Sequence, residues 1–383
     1  MEKRKKKKIF IVALIFTIII LLITMVSLYI AEERFRNVID TYIFKRNITD
    51  ENIATIDLNT DKNNQIHVYS KYIAILNNQK VTLYNSYGEK VTDIDVNINT
   101  AIFDSSEKYF AIAENSGKEL YLILDKNYLW SNKVEGDILQ VHVNRNGYVA
   151  VVTKDTIYKS ILTLYNSDGT LLFKRYFAST RIVDASISAD NKSVAIGEVD
   201  SSGAMIKSSV KILSVDTAKN DPDNAITNTY DAEDGKLLTN VKYQAKGQIA
   251  CMYDDSINVI QNEQERELLK INNKEVTFMS VDLNNSSVHI EEEMAGVFKT
   301  DSYVKITNTQ NGEESSYNIK DVPKEMYAKD NIIAVNTGTE VYFLNANGWL
   351  VKKYTTRQEV TNIMFSNNLA GLVYKDKIVI INL

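Results

Sequence analysis

The chain has 383 residues, 44% of them hydrophobic, with a formal net charge of −5, one cysteine and two prolines. A single cysteine excludes an internal disulfide framework and a thiolate metal cluster. The acidic balance argues against a nucleic-acid partner, whose phosphates it would repel.

The charge is uneven along the chain. Residues 1–8 hold six Lys or Arg and Glu2, a net of +5, so the remainder carries −10. Residues 9–30 follow without a charge. As a helix rising about 1.5 Å per residue they span roughly 33 Å, enough for a bilayer core of about 30 Å. Basic residues beside such a segment stay in the cytoplasm. The expectation is therefore a cytoplasmic head at 1–8, a transmembrane helix at 9–30 and everything later extracytoplasmic. A cleaved signal peptide is the competing reading. Its apolar part is usually about 7–15 residues and ends in small residues, whereas here Tyr29 stands two places before Ala31. A large exported domain without disulfides fits a Gram-positive cell envelope.

Residues 31–52 form a juxtamembrane linker. Phe35, Val38, Ile39, Tyr42, Ile43 and Phe44 recur at helical spacing, which predicts an amphipathic juxtamembrane helix, with a stalk that extends the anchor or a helix that pairs with a second copy as the alternatives.

From residue 53 to 383 a short phrase repeats: an apolar triplet with central alanine, a turn, then a strand ending in Asn or Asp and often Gly. The alanines are Ala74, Ala111, Ala150, Ala195, Ala250, Ala334 and Ala370. Their spacing is 36 to 55 residues except for one gap of 84, where Ser287-Val-His-Ile290 supplies a degenerate copy. Units of about 40–50 residues with four short strands mark a β-propeller. Small residues suit it because the inner strands converge on an axis.

The count gives eight blades, near 66–96, 100–133, 138–177, 181–231, 237–271, 276–319, 324–354 and a last unit of three strands, Val360–Phe365, Leu369–Val373 and Ile378–Asn382. Segment 53–58 is strand-like and stands alone. We expect it to become the missing outer strand of the last blade, closing the ring and hiding its open edge. Seven blades is the alternative if the sixth unit is not a blade.

The phrase Ser188-Ala-Asp-Asn-Lys-Ser-Val-Ala-Ile-Gly197 resembles the inner hairpin of WD-repeat-like and quinoprotein-like propellers. The overall plan resembles a family of uncharacterised single-pass membrane proteins of Gram-positive bacteria. The resemblance implies an all-β propeller behind one anchor and carries no chemistry with it. The Trp-Asp dipeptide of true WD repeats is absent, and only Trp130 and Trp349 occur.

No motif names a reaction. His67, His142 and His289 are far apart and each falls within a strand, so no metal site and no cofactor is expected. Nucleophile-elbow and phosphate-loop patterns do not occur. Glu291-Glu-Glu293 reads as a solvated loop, and Asp104, Asp168, Asp190, Asp254 and Asp330 as turn aspartates.

The connections between second and third strands are long in three blades: Thr153–Lys159, Glu198–Ser208 and Glu291–Asp301. They predict a raised rim on one face whose apolar members, Ile157, Tyr158, Met205, Ile206, Met294, Val297 and Phe298, bind a partner. The reading is a non-catalytic, membrane-anchored scaffold with a protein or cell-wall ligand on the face away from the membrane. The alternative is an envelope hydrolase or lyase with its site in the axial funnel, favoured if carboxylates and a histidine converge there.

Overall fold

The computed structural model describes residues 2–31, 33–48, 53–60, 63–271, 276–296 and 299–383. Eight sheets surround an axis. Blades one to seven cover 65–95, 101–133, 137–177, 181–231, 238–270, 276–319 and 325–355, each with four antiparallel strands of its own. Blade eight takes three strands from 362–382 and its outer strand from Thr55–Asp57 (β2). Ile56 of β2 pairs with Ile378, and the Ile380 amide donates to the Ala54 carbonyl at 2.9 Å. The predicted closure is present, and the ring has eight blades.

The repeated phrase has a local cause at each end. The alanines sit in the second strands and are at most 1% exposed. The Asn-Ser-Tyr-Gly88, Asn-Ser-Asp-Gly169 and Asn-Ala-Asn-Gly348 copies are the turns into the outer strands of blades one, three and seven. In each, the Asn carbonyl oxygen of the side chain accepts backbone amides from the turn, as Asn166 does from Asp168 at 3.2 Å and Thr170 at 2.9 Å. The glycine adopts positive φ, +87° at Gly169, which L side chains resist. A Cβ there would also lie 2.8 Å from Cγ of Trp130 on the preceding blade.

The core lies between blades. Among the described residues eight apolar clusters each join two consecutive blades, and one of them packs Ile56, Leu369, Val373 and Ile378 of blade eight on Ile66 and Val68 of blade one. Polar stitches reinforce the same joints. Asp104 accepts the Val143 amide of the next blade at 2.7 Å, and Asp184 accepts that of Val241 at 2.9 Å.

Helix α1 (Glu2–Ala31) includes Ile11–Ile30, whose mean hydropathy of 3.0 and 20-residue length suffice to cross a membrane. The linker is more structured than a plain amphipathic helix. A short helix α2 (Glu33–Val38) follows, with Arg36 donating to the carbonyls of Tyr29 and Ile30 at 3.2 and 3.1 Å. A π-turn (Ile39–Ile43) follows, where buried Asp40 binds Tyr29 and Arg46. Asn47–Ile48 (β1) then pairs in parallel with the outer strand of blade seven, a fifth strand absent from the sequence reading.

Candidate functional site: the axial cavity and the opposite rim

The innermost strands aim charge at the axis. Across the first hairpins of blades one, two, three and five, the alanine of the second strand faces a larger partner: His67 opposite Ala74, Asp104 opposite Ala111, His142 opposite Ala150 and Lys242 opposite Ala250. The alanines thus leave room for side chains that reach inward.

Asp104, His142 and Lys242 line a cavity of about 540 Å³, which opens among the turns between first and second strands, including Arg145, Asn284 and Asn331, whereas His67 lies outside its lining. Asp104, Glu107, Asp184, Asp282 and Asp330 bring five carboxylates to its wall; Lys242, Arg145 and His142 bring the bases. His142 Nε2 lies 3.5 Å from Asp184 Oδ1 and 3.4 Å from Gln140 Oε1. Burial raises the Asp184 pKa, with His142 and the Val241 amide opposing it. At Lys242 burial pulls the pKa down, but Asp282, Asp104, Asp330 and Asp184 outweigh it and the net shift is upward. Among the described residues no three His, Cys, Asp or Glu side chains are grouped to hold a metal ion.

Beside this cavity Lys329 of blade seven donates to Ser105 Oγ of blade two at 2.7 Å, and Ser105 lies 2.8 Å from His67 Nε2. Burial lowers the Lys329 pKa, partly offset by Asp104 and Asp330. Ser105 is 5% exposed and lies outside the cavity lining, so the contact reads as a strut.

The sequence-predicted rim lies on the other face, where second strands turn into third strands. Ile157 and Met205 are 73% and 54% exposed. Tyr158 is half-buried, its ring 4.7 Å from that of Tyr176. Ile206 is also half-buried and accepts the Gly235 amide through its carbonyl at 2.8 Å. Met294 continues a strand, pairing with Thr300. Val297 and Phe298 lie outside the described residues.

The segment read as an acidic loop at Glu291–Asp301 is instead a hairpin of two long strands, Ser286–Gly296 and Lys299–Asn308. Glu291 is buried there and ion-paired with Lys305, while Glu293 stays exposed, so the run is accommodated within a strand. Beyond Glu291 this hairpin has outrun its own first strand. Asp104 and Asp330, read as turn aspartates, face the cavity. Asp184, Asp282 and Lys242 escaped the sequence reading. For Lys242 the signal was the register itself, since it pairs directly with Ala250; Asp184 pairs with Gly197 instead, and Asp282 lies beyond the first strand of the blade that lacks the alanine.

The architecture defines an eight-bladed β-propeller with an N-terminal apolar helix. The chain belongs to a family of unknown function, DUF5711, which it matches over residues 44–383. No curated protein matches it. Among solved structures it is similar to BamB from Moraxella catarrhalis, at 14% identity and a TM-score of 0.50, covering 86% of this chain and 99% of that one. It is also similar to the C-terminal WD40 domain of Sif2, at 11% identity and a TM-score of 0.57, with the same coverage of each chain. At these identities the likeness is one of fold.

Proposed function

We propose that this protein is a membrane-anchored, extracytoplasmic binding scaffold whose protein or cell-wall partner seats on the rim of second-to-third-strand connections. The observation that carries it is the rim: exposed Ile157 and Met205 on adjoining blades three and four, with the overlong blade-six hairpin two blades further round the same face. Exposed apolar tips on a rigid frame are a usual basis for partner anchoring.

Two observations support a rim turned away from the bilayer. Strand β1 runs parallel to the outer strand of blade seven, so the chain rises from the cavity-mouth face toward the rim face. Tyr87, Tyr128 and Trp349, 76%, 49% and 58% exposed, stand in or beside the third-to-outer turns on the cavity-mouth face. Tyr and Trp are the residues that settle at membrane interfaces.

The test is a crosslinked pull-down from membranes, comparing the natural chain with one in which Ile157 and Met205 are serine and residues 293–301 are a short turn. Loss of a specific partner supports the reading, and an unchanged partner set refutes it. A second reading, a hydrolase or lyase in the funnel, rests on His142 beside Asp184 among converging carboxylates. It predicts an envelope-substrate turnover abolished by H142Q with the rim intact.

A further inference from the structure

The axial cavity is separate from the rim and has a charge pattern of its own. Its five carboxylates face two fixed cations, Lys242 and Arg145. The surplus is three negative charges, or two when Lys329 behind the wall is counted with them. Glu107, Asp330 and Arg145 make no side-chain hydrogen bond or ion pair with the described residues, and neither does Lys242. Lys242 is surrounded by protein yet still touches the cavity, with carboxylates from blades two, four, six and seven around it.

That arrangement disfavours a point cation, because the carboxylates are dispersed around the ring and no three are grouped for a metal. It favours an extended cation whose charges are spaced along a chain, each meeting a different blade. The fold already places one alkylammonium, Lys242, among carboxylates of four blades. A volume of about 540 Å³ falls within the usual range of small-molecule sites, roughly 300–1,000 Å³.

We propose that the axial cavity binds a linear polyamine, a flexible chain of two or more ammonium groups that spans Asp330, Asp282 and Glu107 beside the resident ammonium of Lys242. This site is separate from the rim and opens on the opposite face.

The experiment is isothermal titration of the full-length chain in detergent micelles with spermidine, and separately with magnesium chloride. Saturable one-to-one binding of spermidine is expected, with D330N and D282N each weakening it about tenfold, the effect of losing one charge-assisted contact. Asn tolerates the positive φ of residue 330, so D330N keeps its turn. K242M removes the resident ammonium and should tighten binding severalfold. Absence of saturable spermidine binding overturns the proposal, as do equal affinity for magnesium, unchanged affinity in both aspartate variants, or weaker binding by K242M. The rim-trimmed chain should bind spermidine as before, so failure here leaves the rim reading standing and the reverse also holds.

Discussion

Lys329 and Ser105 are 224 positions apart and meet at 2.7 Å, joining blade seven to blade two across the ring past blades eight and one. Ser105 passes the contact to His67, whose ring stacks on Phe110 with centroids 5.1 Å apart. Burial holds the His67 pKa well below 6.5, and the Lys329 ammonium pushes it the same way. Between its folded and unfolded values, His67 binds fewer protons folded than unfolded. Its contribution is therefore full above about pH 6.5 and is lost as pH falls below that. Melting temperature should drop on acidification from about pH 7 to pH 5, and H67Q should flatten that slope; an equal slope in the variant counts against a neutral buried histidine.

The closing strand should matter more than its three residues suggest. Ile56 is 5% exposed in the cluster between blades eight and one. I56A should cost about 2–5 kcal/mol in urea unfolding, as buried Ile truncations do. Amide exchange should quicken at Ile380, whose amide bonds to Ala54, before it quickens in blades three and four.

Gly169 tests the turn chemistry. G169A places a methyl against Trp130 and forces an L residue to φ of +87°. A loss of about 1–3 kcal/mol is expected from the backbone alone. Trp130 fluorescence should shift as well, since its Nε1 donates to Ser167 in the same turn at 3.0 Å.

Glu198 has a buried carboxylate whose ion-pair partner is Lys211, at 2.8 Å. K211M leaves that charge uncompensated and should destabilise by about 3 kcal/mol, the low end for such pairs because the lysine is partly solvated. The double variant K211M/E198Q should recover much of the loss.

Cys251 is buried and burial raises its thiol pKa well above the ordinary value. A maleimide reagent should leave the folded chain unlabelled and modify it in urea. Rapid labelling under native conditions would contradict the packing of blade five.

The blade boundaries were legible because their determinants are local. Alternation within strands and Asn–Gly turns recur with the unit, and even the lone segment at 53–58 announced itself by lacking a partner. Strand β1 was not legible: two residues paired in parallel leave no alternation to read. The blade-six hairpin was hidden by its glutamates, since only the folded sheet reveals Lys305 beside Glu291. The cavity was hidden for a different reason. Asp104, Asp184, Lys242, Asp282 and Asp330 come from five blades, and each in isolation looks like an ordinary polar residue of a strand or turn. Their convergence is a property of the circle.

That the ring is shut by β2 sets an order of events during synthesis. Thr55 is made 324 residues before Val379, against which it pairs. At roughly 5–20 residues per second the first-made strand waits on the order of 16–65 s for its mate. Over that interval the sheets accumulate as an arc with two bare ends, and the first of those ends stays uncovered until the final hairpin arrives.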